Sequence, residues 1–158
     1  RKLEETSLDA IVLACAGLIR LGRSDEITEI LDPVAFPPAP AQGAIAVECR
    51  VADDVTGRYL SRLDARATRG EVVAERSLLD HLGGGCRIPV AALGRTDGAA
   101  LARHGVVLSP DGRKSVEGDE SGTVEDAWAV GRRLATRLLE AGASRLLSES
   151  ENEDNTHA

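Results

Sequence analysis

The run Ala74-Glu75-Arg76-Ser77-Leu78-Leu79-Asp80-His81-Leu82-Gly83-Gly84-Gly85-Cys86-Arg87-Ile88-Pro89-Val90 changes character half-way. Before the glycines, Val72, Val73, Leu78, Leu79 and Leu82 supply the apolar face of a helix. Thr68-Arg69-Gly70-Glu71 reads as its capping box, with Glu71 three residues after Thr68. The helix must stop at Gly83-Gly84-Gly85, because glycine weakens a helix and opens the positive-φ region that ends one. Ile88 to Leu93 then has strand length and composition. Ala100 to Leu108 and Arg113 to Glu117 come next as strands across turns rich in Gly and Asp, Asp97-Gly98 and Pro110-Asp111-Gly112. Thr123-Val124-Glu125-Asp126 caps a last long helix, whose Ala127, Val130, Leu134 and Leu138 recur at intervals of three and four, with Gly142 as the stop. The expectation is an α+β domain: a three-stranded antiparallel sheet with helices on one face, over residues 66–148.

Upstream the pattern is different. Asp9-Ala10-Ile11-Val12-Leu13-Ala14-Cys15 is a continuous apolar run of strand length, as in a strand buried on both faces of a parallel sheet. A helical turn from Ala16 to Leu21 should come after it, and Ser24-Asp25-Glu26 offers a cap and an acidic first turn for a short helix ending near Asp32. Pro33, Pro37, Pro38 and Pro40 make residues 33–41 an extended connector. It leads to a second apolar stretch, Gly43 to Arg50, read as a strand, and Asp53 can cap a helix through about Leu63. Residues 1–65 therefore read as an incomplete α/β portion. At the other end, Glu149 to Ala158 is acidic and polar and is expected to be disordered.

With 158 residues, 42% hydrophobic and 28% charged, the balance is that of a globular chain with room for about one domain. No apolar run approaches the ~20 residues that cross a bilayer, so no membrane partner is expected. The net charge of −7 and the single Phe, Tyr and Trp leave neither a basic surface nor a stacking platform, so nucleic acid is not an expected partner. Arginines outnumber lysines 17 to 2, and the planar guanidinium is the better partner for carboxylates. Arg1-Lys2-Leu3-Glu4-Glu5 reads as the middle of a helix without a cap, which suggests a fragment.

Three cysteines, Cys15, Cys49 and Cys86, form no pair or cluster of zinc spacing, and a reducing cytoplasm is the default for such a set. Cys15 and Cys49 lie in apolar runs and read as inert core thiols. Cys86 comes directly after a glycine loop that leaves room for something bulky. Several readings of it stay open on these grounds. It is a small core residue after a helix stop, or the nucleophile of a thiol-dependent enzyme near His81 and Arg87, or part of a non-catalytic ligand-binding or interaction module.

Ala74-Glu75-Arg76, a glycine-rich loop and then Cys86-Arg87-Ile88-Pro89 resemble the cofactor-attachment segment of the porphobilinogen deaminase (hydroxymethylbilane synthase) family. Asp9 to Gly22, Pro38 to Arg50, and Ser109-Pro110-Asp111-Gly112 are similar to further blocks of that family, in the same order. Two small departures are Gly83, where many members have an acidic residue, and Ala41, where many have glycine.

The resemblance implies a transferase of tetrapyrrole (haem) biosynthesis. It condenses four porphobilinogen units head to tail, with release of ammonia, to give hydroxymethylbilane. In the family a dipyrromethane cofactor is held by a thioether, and Cys86 is the matching position. Arg20 matches a family carboxylate-binding position, Ala14 and Gly17 line the same turn, and Gln42 and Gly43 sit at a hinge where they could hydrogen-bond cofactor carboxylates. Arg50 with Glu48 would be an interdomain ion pair. The family's catalytic aspartate lies upstream of Arg1, so this chain carries no catalytic residue and is expected to be inactive alone. Residues 1–37 would close domain 2, 38–65 would return as connector, strand and helix to domain 1, 66–148 would be domain 3, and 149–158 a tail. The partners implied are porphobilinogen and the growing polypyrrole, with the full-length protein a cytoplasmic monomer.

Overall fold

The computed structural model describes residue 5, residues 7–85 and residues 88–156, the last six of these by backbone alone. The chain divides into a unit ending at Ala35 and a second unit, Phe36–Ala158.

In the first unit, helix α1 spans Cys15–Arg20 and a 3-10 turn spans Ser24–Glu26. Residues 9–14 form no strand, contrary to their apolar reading. A strand exists only through its ladder, and among the described residues this run finds no ladder partner. Leu8, Ile11, Val12 and Leu13 are exposed instead. The helix expected from Ser24 to Asp32 shrinks to the 3-10 turn, held by the exposed ion pair of Arg23 with Glu26 at 2.6 Å. Ile27, Thr28 and Ile30 resist helix by branching at Cβ, and Pro33 restricts the residue before it.

The second unit repeats this contrast in its opening stretch. Residues 44–50 form no strand, and Ile45, Val47 and Val51 are exposed. Helix α2, Asp54–Leu60, starts as expected, with the Asp53 carboxylate accepting from the Thr56 N–H at 3.0 Å.

From Arg66 onward the fold is regular. Helix α3 (Arg66–His81) is followed by β1 (Val90–Asp97), β2 (Ala100–Leu108) and β3 (Ser115–Thr123), and then by helix α4 (Ala127–Leu138). The strands form one antiparallel sheet in the order β1-β2-β3, with Gly94 opposite Arg103 and Gly105 opposite Gly118. Both helices pack on the face that carries Ala92, Leu101 and Val107, so the expected class holds. Leu78, Leu82, Val90, Ala92, Val107, Leu134 and Leu138 form the larger core cluster, and Ala74, Leu101, Ala127 and Val130 the smaller.

Boundaries differ from the sequence reading at several places, β1 among them, which runs Val90–Asp97 rather than Ile88 to Leu93. Helix α3 begins two residues before Thr68, and Glu71 does not cap it; the Glu71 carboxylate accepts from the N–H and hydroxyl of Thr96 on β1, each at 2.8 Å. Strand β3 runs on to Thr123, paired throughout with β2. After α4 a π turn, Leu139–Ala143, contains Gly142 at φ +106, and the chain continues as helix α5, Ser144–Thr156. The segment from Glu149, expected to be disordered, is thus helical as far as Thr156, with Arg145 reaching Glu149 one turn on at 3.3 Å. No helix among the described residues is long and apolar enough to cross a membrane.

Small residues set the spacing of the layers. A Cβ placed on Gly131 would overlap the carbonyl oxygen of Ala74, and one on Gly122 would lie 2.6 Å from Val130 Cγ2. Gly131 therefore lets α3 and α4 approach backbone to backbone, and the Ser77 hydroxyl donates across the same seam to the Trp128 carbonyl at 2.6 Å. Gly131→Ala should lower unfolding stability by about 2–3 kcal/mol, since overpacking a tight seam shifts backbone. Gly118→Ala, whose nearest new neighbours would be the leucine side chains 3.4–3.5 Å away, should cost under about 1 kcal/mol. Equal losses in urea melts of the two variants would disprove the seam.

Candidate functional site

The loop after α3 is made of three glycines, Gly83, Gly84 and Gly85, closing the helix. The Gly83 N–H donates to the Asp80 carbonyl at 3.2 Å and the Gly84 N–H to the Leu79 carbonyl at 2.9 Å, the paired bonds of a Schellman cap. Gly83, Gly84 and Gly85 all take positive φ, +113°, +65° and +108°, a path that L side chains resist. Among the described residues nothing lies within 4 Å of a Cβ built on Gly84 or Gly85. That next residue, Cys86, lies outside the described residues, as does Arg87. His81, the base considered for a thiol enzyme, is exposed at the last turn of α3.

The connector is tied to the same helix. Glu75, 7% exposed on α3, accepts from the Ala41 N–H through Oε2 at 2.5 Å and from the Gly94 N–H through Oε1 at 2.7 Å. The Ala92 N–H adds a bond to the Pro38 carbonyl at 2.8 Å. Gln42 and Gly43 come directly after, both exposed, with Gly43 at φ +86 and the Gln42 N–H closing a turn on the Ala39 carbonyl at 3.0 Å. Ala41 itself stands at φ +64, where a non-glycine residue costs roughly 1–2 kcal/mol.

Below Glu75 lies Arg103, opposite Gly94 in the β1-β2 register and 2% exposed. Among the described residues none of its three guanidinium nitrogens has a hydrogen-bond partner. Burial pushes its pKa down to about 10, and the Glu75 carboxylate partly opposes that. Sequence reading met Glu75 within Ala74-Glu75-Arg76 but gave neither residue a role. Their signal was a charge at an inward position: Glu75 beside Ala74 on the apolar side of a helix, and Arg103 two residues from Leu101 in a strand.

In the first unit, Gly17 and Arg20 lie in α1 and Ala14 is its N-cap residue. Ala14 precedes its first turn and accepts from the Gly17 N–H at 3.0 Å, Gly17 has open space where a Cβ would be, and Arg20 is exposed in the last turn. Two expectations fail. Cys15 is only partly buried and Cys49 is exposed, because the strands meant to enclose them do not form. Arg50 approaches Asp53 at 4.0 Å rather than pairing with Glu48, since the start of α2 brings Asp53 round to it.

Residues 1–58 match the family model described as "Porphobilinogen deaminase, dipyromethane cofactor binding domain", and residues 70–140 match "Porphobilinogen deaminase, C-terminal domain". The chain belongs to the porphobilinogen deaminase family. It is 45% identical over 98% of its length to a porphobilinogen deaminase of Pelotomaculum thermopropionicum, and 47% identical over 94% to one of Roseiflexus castenholzii. A porphobilinogen deaminase of Acidothermus cellulolyticus is 44% identical over 99% of the chain. These matches cover 49%, 48% and 48% of the relatives, so the chain spans about half the length of the curated relatives it matches. The family binds a dipyrromethane cofactor.

Glu75→Ala should remove the acceptor of two backbone donors and the counter-charge felt by Arg103, at a cost of about 3 kcal/mol or more. Glu71→Ala, which frees only the Thr96 contacts at the end of β1, should cost about 1 kcal/mol. Chemical unfolding of both variants checks the difference, and a Glu75 variant no weaker than the Glu71 variant would refute the assignment.

Proposed function

We propose that this chain is the carboxy-terminal half of a porphobilinogen deaminase, the transferase that joins four porphobilinogen molecules head to tail, releasing ammonia, to give hydroxymethylbilane. In this reading Cys86 carries the dipyrromethane through a thioether. The observation that carries it is the open, positive-φ loop at Gly83-Gly84-Gly85, placed directly before Cys86 in a chain of this family.

When bound, the dipyrromethane would supply the free pyrrole α-position to which the first unit is joined, and it would anchor the growing chain. The chain's own residues bind and orient. Every pyrrole bears acetate and propionate arms, and the Arg20 guanidinium can take such a carboxylate in a bidentate grip. Ala14 and Gly17, small and at the start of the same helix, let a ring lie against backbone. The Gln42 amide and the Gly43 N–H offer donors to carboxylates beside the tethered connector. Proton transfer during loss of ammonia falls to a carboxylate of the other half, for no residue here is assigned to it. The whole enzyme works in this reading as a cytoplasmic monomer, with porphobilinogen and the growing polypyrrole as partners and neither nucleic acid nor membrane.

Exposed apolar side chains from Leu8 to Val51 support the same division, because they leave a surface that the other half can cover. The chain alone should make no hydroxymethylbilane from porphobilinogen. Co-expressed with the preceding half of the enzyme, it should gain turnover and an intact mass raised by a dipyrrole. Cys86→Ser should lose both, whereas Cys15→Ala and Cys49→Ala should keep the adduct. Peptide mapping of the adduct to Cys15 or Cys49, or full activity of the Cys86→Ser pair, would overturn the proposal.

A further inference from the structure

Three unusual features of the second unit meet at one carboxylate. Ala41 is held in a left-handed conformation, its N–H is captured by Glu75 at 2.5 Å, and Arg103 lies buried with three unpartnered nitrogens. Each has its own physical demand. The backbone of Ala41 is strained where it is and would relax if the connector let go. A buried guanidinium without acceptors is among the costliest groups to leave unsatisfied, and the nearest remedy is a carboxylate. Glu75 is on the spot: it bonds Gly94, the residue that faces Arg103 across the β1-β2 pair. Its oxygen Oε2, however, is turned to the connector, away from Arg103, and no Glu75–Arg103 hydrogen bond forms.

We propose that Glu75 is a two-position latch for which the Ala41 N–H and the Arg103 guanidinium compete. In the arrangement seen, Oε2 holds the connector and Arg103 is unpaired. In the other, the carboxylate turns to Arg103, keeps Gly94 through Oε1, and frees the connector at Ala41. Strain at residue 41 and the unmet donors of residue 103 both favour release. The closed hydrogen bond and the Ala92–Pro38 contact oppose it. The consequence is a movable Gln42-Gly43 hinge beside a sheet that stays intact. The latch stands on these contacts alone, independent of the catalytic reading above.

Amide exchange read by NMR on the intact chain tests it, with Ala41 and Ala92 reporting the connector and the β1-β2 ladder amides serving as control. Arg103→Leu removes the competing partner, so Ala41 and Ala92 should exchange several-fold more slowly while the ladder is unchanged or better protected. Arg103→Lys keeps a competing cation and should stay near the parent. Ala41→Gly relieves the strain without touching Arg103 and should likewise slow exchange at residue 41. Unchanged or faster exchange at Ala41 in a folded Arg103→Leu chain would overturn the latch. So would failure of both Arg103→Leu and Arg103→Met to fold, for the guanidinium would then be serving the closed arrangement.

Discussion

A carboxylate that is almost out of water must be met by donors, and the Glu75 side chain is met by two backbone N–H groups from different parts of the chain. One belongs to the connector and the other to β1, so a single side chain on α3 fixes where the chain enters this unit and where its first strand lies. The strand in turn places β2 and β3 by antiparallel pairing. Such a bond holds only if the helix sits close to the sheet. Gly94 provides that closeness, since a Cβ there would stand 3.0 Å from Glu71 Cα.

Close approach recurs through the layer. Gly105 and Gly122 lie beneath Leu134, Leu78 and Val130, and Gly131 lets α3 and α4 touch. The helix-facing side of the sheet therefore has glycines at the closest approaches, with Ala92, Leu101 and Val107 packed into the core between them. Arg103 stands out in this surface as a long charged side chain among residues chosen for smallness.

Local patterns that stabilise themselves were legible in the sequence. The α3 stop at the glycines, the Asp97-Gly98 hairpin and the inward positions of α4 come from turn chemistry and helical spacing, and the structure has them. The apolar runs at 9–15 and 44–50 were misread, because a strand's composition says nothing about whether a ladder partner is present. The resemblance supplied Cys86, Arg20 and Gln42, which no spacing rule would have picked out. Glu75 and Arg103 were given no role for a different reason: a charge at an inward position is a weak signal until the fold closes over it.

The chain has one tryptophan, Trp128, and it sits 53% exposed at the first turn of α4, with its carbonyl receiving the Ser77 hydroxyl. Ultraviolet emission from this protein is thus a local signal. It reports the α3-α4 seam and little else, because the only other fluorescent ring of note, Tyr59, lies exposed on α2. A fluorescence trace on this chain would register the parting of two helices while remaining nearly blind to everything before Arg66.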